Sequence, residues 1–258
     1  MIRRAWSWMG ACSTGSSHVR VGEECQDAAA CLEIASGVAS ALLVVVSDGA
    51  GSARFSRLGS RCVTTEFSKS VARYTRDGGH IAAINEEIAR TWLDVVRDRI
   101  ASMAEAAAGT PRDFAATLVA ALVGEEDAVI CHVGDGACVL RQAGTDQWHV
   151  PSWPDHGEYA SSTYFVTDDP QPKLRLYQLQ GRFTDVAVFS DGLERLALDF
   201  IKQQPASGFF NPIVNPMSQL PAGRSRGLSA QLRTFLESSS ILNRTDDDKT
   251  LVVARRVQ

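Results

Sequence analysis

The chain has 258 residues, of which 45% are hydrophobic and 22% charged, and these proportions are typical of one large globular domain. Its formal net charge of −4 provides no basic surface, which argues against nucleic acid and anionic membranes as partners. The longest apolar run, residues 41–46, is far shorter than the roughly 20 residues that span a bilayer. We therefore expect a single domain over residues 1–258 that binds neither nucleic acid nor membrane.

The first half of the chain predicts strands followed by a pair of helices. Three strands are expected within residues 6–46, where apolar and β-branched residues recur in short runs. Two helices are expected at residues 55–74 and 79–108. In the second helix, apolar residues recur at spacings of three and four or their multiples, which indicates a buried face: Ile81, Ile84, Ile88, Trp92, Val95 and Met103.

The second half of the chain returns to strands. They are predicted at residues 117–123, 128–133, 138–141, 174–179, 185–189 and 251–257. Helices are expected at residues 193–202 and 225–236. Residues 150–173 contain four prolines and predict a surface loop or flap, and the Pro- and Gly-rich residues 203–224 predict a mobile excursion.

Runs of strands with helices inserted in pairs favour an α+β fold over a doubly wound parallel sheet. Two antiparallel β-sheets packed as a central sandwich, with helices on both sides (α-β-β-α), would use every predicted element. The polar segments Gly124-Glu125-Glu126 and Gly134-Asp135-Gly136 would join successive strands as tight turns.

Six cysteines are scattered along the chain without a CxxC pair. This spacing indicates neither a zinc site nor a disulfide framework. Most of the cysteines lie in or beside apolar runs, where a free thiol packs as a small core side chain. A reducing cytoplasm is therefore the expected location.

Four acidic motifs stand at the ends of apolar runs: Ser47-Asp48-Gly49, Gly134-Asp135-Gly136, Ser190-Asp191-Gly192 and Asp246-Asp247-Asp248-Lys249-Thr250. The first three follow a predicted strand, and the fourth precedes one. A rigid sheet holds carboxylates at its strand ends close together, where they repel each other unless cations lie between them. The motifs therefore predict a site for divalent metal ions.

Oxygen ligands select magnesium, manganese or calcium over zinc or copper. The sequence contains no EF-hand loop, no phosphate loop GxxxxGK[ST], no nucleophile elbow GxSxG and no HExxH. Enzymes that hydrolyse phosphate esters commonly use a pair of Mg²⁺ or Mn²⁺ ions bridged by aspartate. A single Asp-Gly step is in most proteins only a turn, and Gly134-Asp135-Gly136 would equally suit a tight hairpin.

The order of these motifs resembles the protein phosphatase 2C family of metal-dependent serine/threonine phosphatases. The similar stretches are QD, VVSDGAG, ATLVAALV, HVGDGA, FSDGLE and DDKTLVV, and the match extends over residues 15–254. The compact bacterial branch is the most similar, because Ser17-His18 and Cys25-Gln26-Asp27 match its N-terminal pattern. The resemblance implies the fold, the metal dependence and the activity of that family.

The resemblance also implies that the aspartates hold two ions, Mg²⁺ or Mn²⁺. Asp48 would bridge both ions, with the Gly49 carbonyl on the second. Asp191 and Asp247 would hold the first ion and complete the catalytic set with Asp48, and Asp27 would bind through water. In the family, metal-bound hydroxide attacks phosphorus in line, without a covalent phosphoenzyme.

A third, weaker metal seen in bacterial members of the family would be held by Asp135 together with Asp191. Asp248 stands where the family often has Asn, so we expect it outside the direct metal ligands. Thr117, in the Ala-Thr-Leu strand of the family, is expected to be structural. His132 lies inside an alternating strand and is expected to be a satisfied sheet histidine.

The sequence departs from the family around the first acidic motif. Gln26 replaces the usual Glu, and the loss of this negative charge would weaken the second or third metal site. Gly22 stands where the family commonly has a phosphate-binding Arg. His18 or Arg20 would then contact the phosphate. A surface position is equally compatible with His18, and a solvated position is favoured for Arg20.

A third departure is Ala50, which replaces the His proposed as general acid in eukaryotic members. Solvent or a metal-bound water, or less favourably His156 in the flap, would then protonate the leaving alkoxide. The resulting hypothesis is a cytoplasmic, monomeric Mg²⁺- or Mn²⁺-dependent phosphatase that acts on phosphoserine or phosphothreonine in proteins and opposes a Ser/Thr kinase. Two alternatives stay open: a catalytically silent phosphoprotein-binding regulatory module on the same fold, which Gln26 and Gly22 favour, and a phosphatase for small phosphoesters.

Overall fold

Two β-sheets packed face to face form the centre of the computed structural model, which describes residues 5–36, 39–155 and 163–257. In chain order the strands are β1 (Trp6–Ser13), β2 (Ala28–Ser36), β3 (Ala39–Ser47), β4 (Leu118–Val123), β5 (Asp127–Val133), β6 (Ala137–Gln142), β7 (Trp148–Ser152), β8 (Arg175–Gln180), β9 (Phe183–Phe189), β10 (Leu198–Asp199), β11 (Gln204–Pro205), β12 (Gly223–Arg224) and β13 (Lys249–Arg256). One sheet has six strands in the order β12-β1-β13-β9-β6-β7, and the other has five in the order β2-β3-β4-β5-β8. All neighbours are antiparallel except β12, which pairs parallel with β1.

Helices cover the outer faces of both sheets. In chain order, the helices of the described residues are α1 (Ser16–Val21), α2 (Ser56–Arg76), α3 (Glu86–Ala106), α4 (Glu194–Ala197), α5 (Ser207–Val214), α6 (Arg226–Leu236) and α7 (Ser239–Leu242). Helices α2 and α3 pack on the five-stranded sheet, and α4, α5 and α6 pack on the six-stranded sheet. The predicted α+β fold with an α-β-β-α arrangement is confirmed. Within the described part of the chain, every helix is too short or too polar to span a bilayer.

Strand β3 shows why an uninterrupted apolar run forms a strand here. Leu42, Val44 and Val46 face the six-stranded sheet, whereas Leu43 and Val45 face α2 and α3. Both faces of the strand are buried, so hydrophobic residues occupy consecutive positions instead of alternating with polar ones. This strand is held rigidly in the centre of the molecule and ends next to Asp48.

Two predicted helices are shorter than expected. Residues 79–108 form a separate 3-10 turn and then α3, because Asn85 caps α3 by accepting a hydrogen bond from the Ile88 N–H at 3.0 Å. The helix predicted at residues 193–202 ends at Ala197, since the chain then forms the hairpin of β10 and β11.

The segment Gly134-Asp135-Gly136 is not a hairpin turn, contrary to the simplest interpretation of its sequence. It connects β5 of the five-stranded sheet to β6 of the six-stranded sheet, so it crosses from one sheet to the other. Both glycines have positive φ angles, 93° and 79°, which side chains rarely tolerate. The crossover places Asp135 between the two sheets at one end of the sandwich.

The two segments expected to be loops contain ordered elements. Residues 150–173 begin within β7, and Val166 is fully buried beside α2 and α3. Residues 203–224 contain α5, whose Phe210 is fully buried against the six-stranded sheet. His156 lies outside the described residues, and the mobility of both segments stays a prediction.

Candidate metal centre

Carboxylates from both sheets meet at one end of the sandwich. Asp48 follows β3, Asp135 lies in the crossover between β5 and β6, and Asp191 follows β9. Each contributes a carboxylate oxygen to a group in which all the oxygens lie within 4.8 Å of one another. The structure thus brings together three aspartates that are far apart in the sequence.

Asp27, directly before β2, belongs to the same cluster. Its side chain shares a hydrogen bond with that of Asp48. Its Oδ2 also accepts a hydrogen bond from Ser190 Oγ at 2.7 Å, and the Thr250 N–H donates to the same Ser190 oxygen at 2.9 Å. Side chains of both sheets therefore hold the Asp27 carboxylate in place.

Asp247 approaches the cluster from the start of β13. Its oxygens lie outside the compact group formed by the other three aspartates, but its negative charge raises the pKa of the Asp191 carboxyl. The Asp248 N–H donates to Asp247 Oδ1 at 2.8 Å, which orients this carboxylate. A direct metal contact by Asp247 stays a prediction.

Gly49 lets the chain turn directly after Asp48. A Cβ atom at this position would lie 2.6 Å from the Ser56 carbonyl oxygen and 2.9 Å from the Gln26 carbonyl oxygen, so a side chain does not fit. Gly49 also forms an isolated antiparallel bridge with Ala116. The acidic loop is therefore packed tightly against the first residue of α2, and a metal contact by the Gly49 carbonyl stays a prediction.

Thr117 fixes the backbone of Asp48. The Asp48 N–H donates to Thr117 Oγ1 at 3.0 Å, and the Thr117 N–H donates to the Asp48 carbonyl at 2.8 Å. The Ser47 hydroxyl donates to the Thr117 carbonyl at 2.6 Å. The structural role expected for Thr117 is confirmed.

Burial raises the pKa of the clustered carboxyls, and their mutual repulsion adds to the effect. The pKa values of Asp48 and Asp191 lie well above the ordinary value of 3.8, first because burial disfavours the charged form and then because other aspartates lie nearby. Burial also raises the pKa of Asp27 to about 6, although hydrogen bonds with Asp48 and Ser190 oppose the change. Ionising this cluster is costly unless a cation is bound. Its oxygen donors are of the kind that bind divalent cations such as Mg²⁺ or Mn²⁺.

Glu194 is a buried acid that the sequence analysis did not single out. It is 5% exposed, and its Oε1 accepts a hydrogen bond from the Gly136 N–H at 2.7 Å, next to Asp135. Burial and the negative charge of Asp135 raise the pKa of Glu194 to about 8, against the effect of the Gly136 hydrogen bond. A glutamate at the start of a helix is common, so the motif FSDGLE alone did not distinguish this residue.

Lys249 is a second missed residue and is fully buried. Its Nζ donates to the Asp247 carbonyl at 2.9 Å and to the Thr14 carbonyl at 3.4 Å. Burial lowers the pKa of Lys249, whereas the nearby charges of Asp248 and Asp247 oppose this change. The cation therefore joins the end of β1 to the acidic turn before β13.

Asp248 holds the connection between β1 and β2. Its Oδ1 accepts a hydrogen bond from the Gly15 N–H and its Oδ2 accepts one from the Gln26 N–H, both at 2.6 Å. His18 Nδ1 lies 3.0 Å from Asp248 Oδ1. Both Asp248 oxygens thus contact protein groups, which agrees with the expectation that this residue is not a direct metal ligand.

The two residues predicted to contact phosphate lie in different surroundings. His18 is held against the buried Asp248, whereas the Arg20 side chain is 69% exposed and pairs with Asp246 at 3.4 Å. Both residues therefore contact the acidic turn, His18 at the buried Asp248 and Arg20 at the exposed Asp246. Phosphate binding by either residue stays a prediction.

His132 is a satisfied sheet histidine, as its position in the strand suggested. Its Nδ1 lies 2.6 Å from Ser152 Oγ, and its Nε2 lies 3.1 Å from the Asp135 carbonyl oxygen. Burial, with a smaller effect of Arg175, lowers the pKa of His132 to about 3. The ring is therefore neutral and supports the crossover that carries Asp135.

Solved structures of similar fold include several bacterial phosphatases. The serine/threonine phosphatase Stp1 from Staphylococcus aureus superposes with a TM-score of 0.61 at 18% identity, over 96% of this chain and 94% of that chain. PppA, a regulatory component of T6SS in Pseudomonas aeruginosa, gives 0.63 at 17% identity, over 97% of each chain. The catalytic domain of the phosphatase PstP, in complex with two manganese ions, gives 0.61 at 18% identity, over 99% of this chain and 100% of that one. These identities support the fold alone.

Sequence comparison extends the similarity to the family level. Serine/threonine-protein phosphatase 3 of Escherichia coli (strain K12) is 33% identical over 253 residues, which cover 97% of this chain and 98% of that protein. Residues 14–237 match the family model for protein phosphatase 2C. Because this match covers most of the chain and includes the segments that carry the clustered aspartates, the chain belongs to the protein phosphatase 2C family of enzymes.

Proposed function

We propose that this chain hydrolyses phosphoserine or phosphothreonine in proteins with the help of Mg²⁺ or Mn²⁺. The observation that carries the proposal is the group of Asp48, Asp135 and Asp191, whose oxygens lie within 4.8 Å of one another. The name of the Escherichia coli relative and the manganese ions bound to PstP support the same activity and cofactor.

The residues divide between holding the cations and supporting the ligands. Asp48 would bridge two cations, with the Gly49 carbonyl on one of them and Asp191 and Asp247 on the other. Asp27 would contact a cation through water. When bound, such cations polarise phosphate oxygens and lower the pKa of a water molecule enough for it to act as a nucleophile.

The remaining acidic residue of the cluster serves a third cation in this proposal. Asp135 would hold it together with Asp191. Glu194 would keep the crossover in position through the Gly136 N–H, since removal of this hydrogen bond would free the loop that carries Asp135. His18, held by Asp248, would contact a phosphate oxygen.

The proposal extends to the biological setting. The substrate would be a phosphorylated protein, and the opposing enzyme would be a Ser/Thr kinase. We further propose that the chain acts as a monomer in the cytoplasm. All six cysteines are free, which suits a reducing compartment.

Substitution of the central aspartates tests the proposal. Asp48→Ala and Asp191→Ala should each reduce turnover of p-nitrophenyl phosphate in Mn²⁺ by about 10³-fold or more, on the scale of losing a main source of transition-state charge stabilisation. Asp94→Ala is the matched control, because Asp94 is an exposed residue of α3. Activity retained in both site variants would refute the proposal.

Two further measurements on the same protein preparation distinguish the proposed activity from the two alternative functions. Calorimetric titration of the wild-type protein with Mn²⁺ should show binding, and its absence at millimolar metal would favour a silent phosphoprotein-binding module. Turnover of a phosphoserine peptide should exceed that of a sugar phosphate. The opposite order would favour a phosphatase for small phosphoesters.

A further inference from the structure

A groove of about 870 Å³ lies next to Asp27 and is lined by residues of β1, β2, α2 and α6. Arg57 and Arg61 of α2 and Arg233 of α6 line it, and we call it the arginine groove. Cys12 and Asp27 also line it. Because the Asp27 side chain bonds with that of Asp48, the arginine groove adjoins the proposed cation site.

The carboxylates along the arginine groove already have partners. Glu24 is paired with Arg57. Glu23 accepts a hydrogen bond from Gln26 Nε2 at 3.0 Å. The Asp27 carboxylate forms hydrogen bonds with Asp48 and Ser190. Glu24 is therefore engaged by Arg57, and Glu23 and Asp27 do not lie within 4.0 Å of the nitrogens of Arg61 or Arg233.

Arg61 and Arg233 keep their charges unpaired. Both side chains are exposed, and no carboxylate oxygen of the described residues lies within 4.0 Å of their nitrogens. The positive charge of Arg233 also opposes the rise in the pKa of Cys12 that burial causes, so this guanidinium lies near another residue that lines the groove. Two separate helices thus direct unpaired cations towards one opening.

The rim of the arginine groove is open on the side of α1. Gly22 lines it, and a Cβ atom added there would meet no atom within 4 Å. An extended peptide can therefore approach without meeting a side chain at this position. Carboxylates and phosphates are the groups that guanidinium donors bind with matching geometry.

We propose that the arginine groove binds an anionic side chain of the phosphoprotein substrate, a carboxylate or a second phosphate, next to the phosphoresidue at the metal centre. This inference rests on the proposed function and adds a substrate preference to it: phosphosites flanked by acidic or phosphorylated residues. Arg61 and Arg233 are the residues that set this preference.

The test compares the binding of three fluorescent phosphoserine peptides that differ only in flanking Asn, Asp or phosphoserine. Anisotropy in Mn²⁺, with non-hydrolysable phosphonates in place of the phosphates, reports affinity without turnover. The wild-type protein should bind the Asp peptide about three- to tenfold more tightly than the Asn peptide, as expected for two exposed ion pairs. Tighter binding of the doubly phosphorylated peptide than of the Asp peptide would identify phosphate as the better occupant, and equal binding would identify any anion.

The double variant Arg61→Ser/Arg233→Ser should bind the Asp and Asn peptides equally tightly, because it lacks the two guanidinium groups that bind the flanking anion. The control Arg76→Ser/Arg226→Ser makes the same change in charge on the same two helices, at residues that do not line the groove, and should keep the ratio. An unchanged ratio in the groove variant would overturn the inference. Failure of the wild-type protein to hydrolyse p-nitrophenyl phosphate in Mn²⁺ would overturn the proposed function instead, since the binding ratio is measured without catalysis.

Discussion

The two ends of the β-sandwich bury charge in opposite ways. At the metal-centre end, Asp48 and Asp191 face other acids, and burial together with these neighbours raises their pKa values. At the far end, where β9 begins, the fully buried Asp185 contacts Arg141 at 2.8 Å and Arg255 at 3.7 Å. The far end therefore compensates its charges within the protein, whereas the metal-centre end needs cations from solution.

This difference follows from the same strands. Strands β6 and β9 contribute Arg141 and Asp185 at the far end, and the segments that adjoin their other ends carry Asp135 and Asp191. The apolar strand interiors between them hold both ends rigidly. The same strands therefore support both charge clusters. The clusters differ in the charge that surrounds the buried aspartates, which is positive around Asp185 and negative around Asp191.

Removing the buried charge of Asp185 at the far end of the sandwich should have the largest effect on stability. Asp185→Ala would leave Arg141 and Arg255 without their buried counter-charge, and we expect a loss of about 3–5 kcal/mol in the free energy of unfolding. Urea unfolding with and without Mn²⁺ measures it, and the loss should be the same in both buffers. A loss that Mn²⁺ abolishes would show that the two ends are not independent.

The buried histidine at the metal-centre end gives the next largest effect. The pKa of His132 is about 3 in the folded protein and near 6.5 when unfolded, so the unfolded state binds the extra proton and stability falls as pH falls below 6.5. Between pH 7 and pH 4 the contribution of this group should cost about 3 kcal/mol. His132→Gln removes it, so the stability of the variant should fall less over this range than that of the wild-type protein. Parallel pH curves for the two proteins, measured by urea unfolding in chelator, would contradict the assignment.

Sequence patterns were sufficient for the fold because its strands have strong local signals. The run at residues 41–46 predicts β3, and the three- and four-residue spacing from Ile88 onwards predicts α3. The motif order was likewise sufficient to place Asp48, Asp135 and Asp191 at strand ends. The hairpin interpretation of residues 134–136 failed because a turn sequence does not reveal whether the next strand joins the same sheet.

The supporting residues of the metal centre were beyond sequence reasoning. Glu194 matters through a hydrogen bond to Gly136, which lies 58 residues away in the chain. Lys249 contacts the Thr14 carbonyl 235 residues away, and a lysine beside acids in a sequence usually indicates a solvated surface. Such contacts depend on tertiary packing and have no periodic or local signal.

Lys249 provides the smallest but most direct test of the comparison between the two ends. It is the buried ammonium beside Asp247 and Asp248, so it partly compensates the metal-centre end from within the protein. Lys249→Met removes this charge and leaves the carbonyls of Thr14 and Asp247 without their donor, which should cost about 1–3 kcal/mol in chelator.

The effect of Lys249→Met should be smaller in Mn²⁺ than in chelator, because bound cations would then supply the missing positive charge. Urea unfolding in both buffers measures the difference, and Lys69→Met, at an exposed lysine of α2, is the matched control. Equal losses in the two buffers would mean that Lys249 acts by packing and hydrogen bonding alone. A smaller loss in Mn²⁺ would mean that this lysine and the cations compensate the same carboxylates, since the charges of Asp248 and Asp247 oppose the burial that lowers the Lys249 pKa.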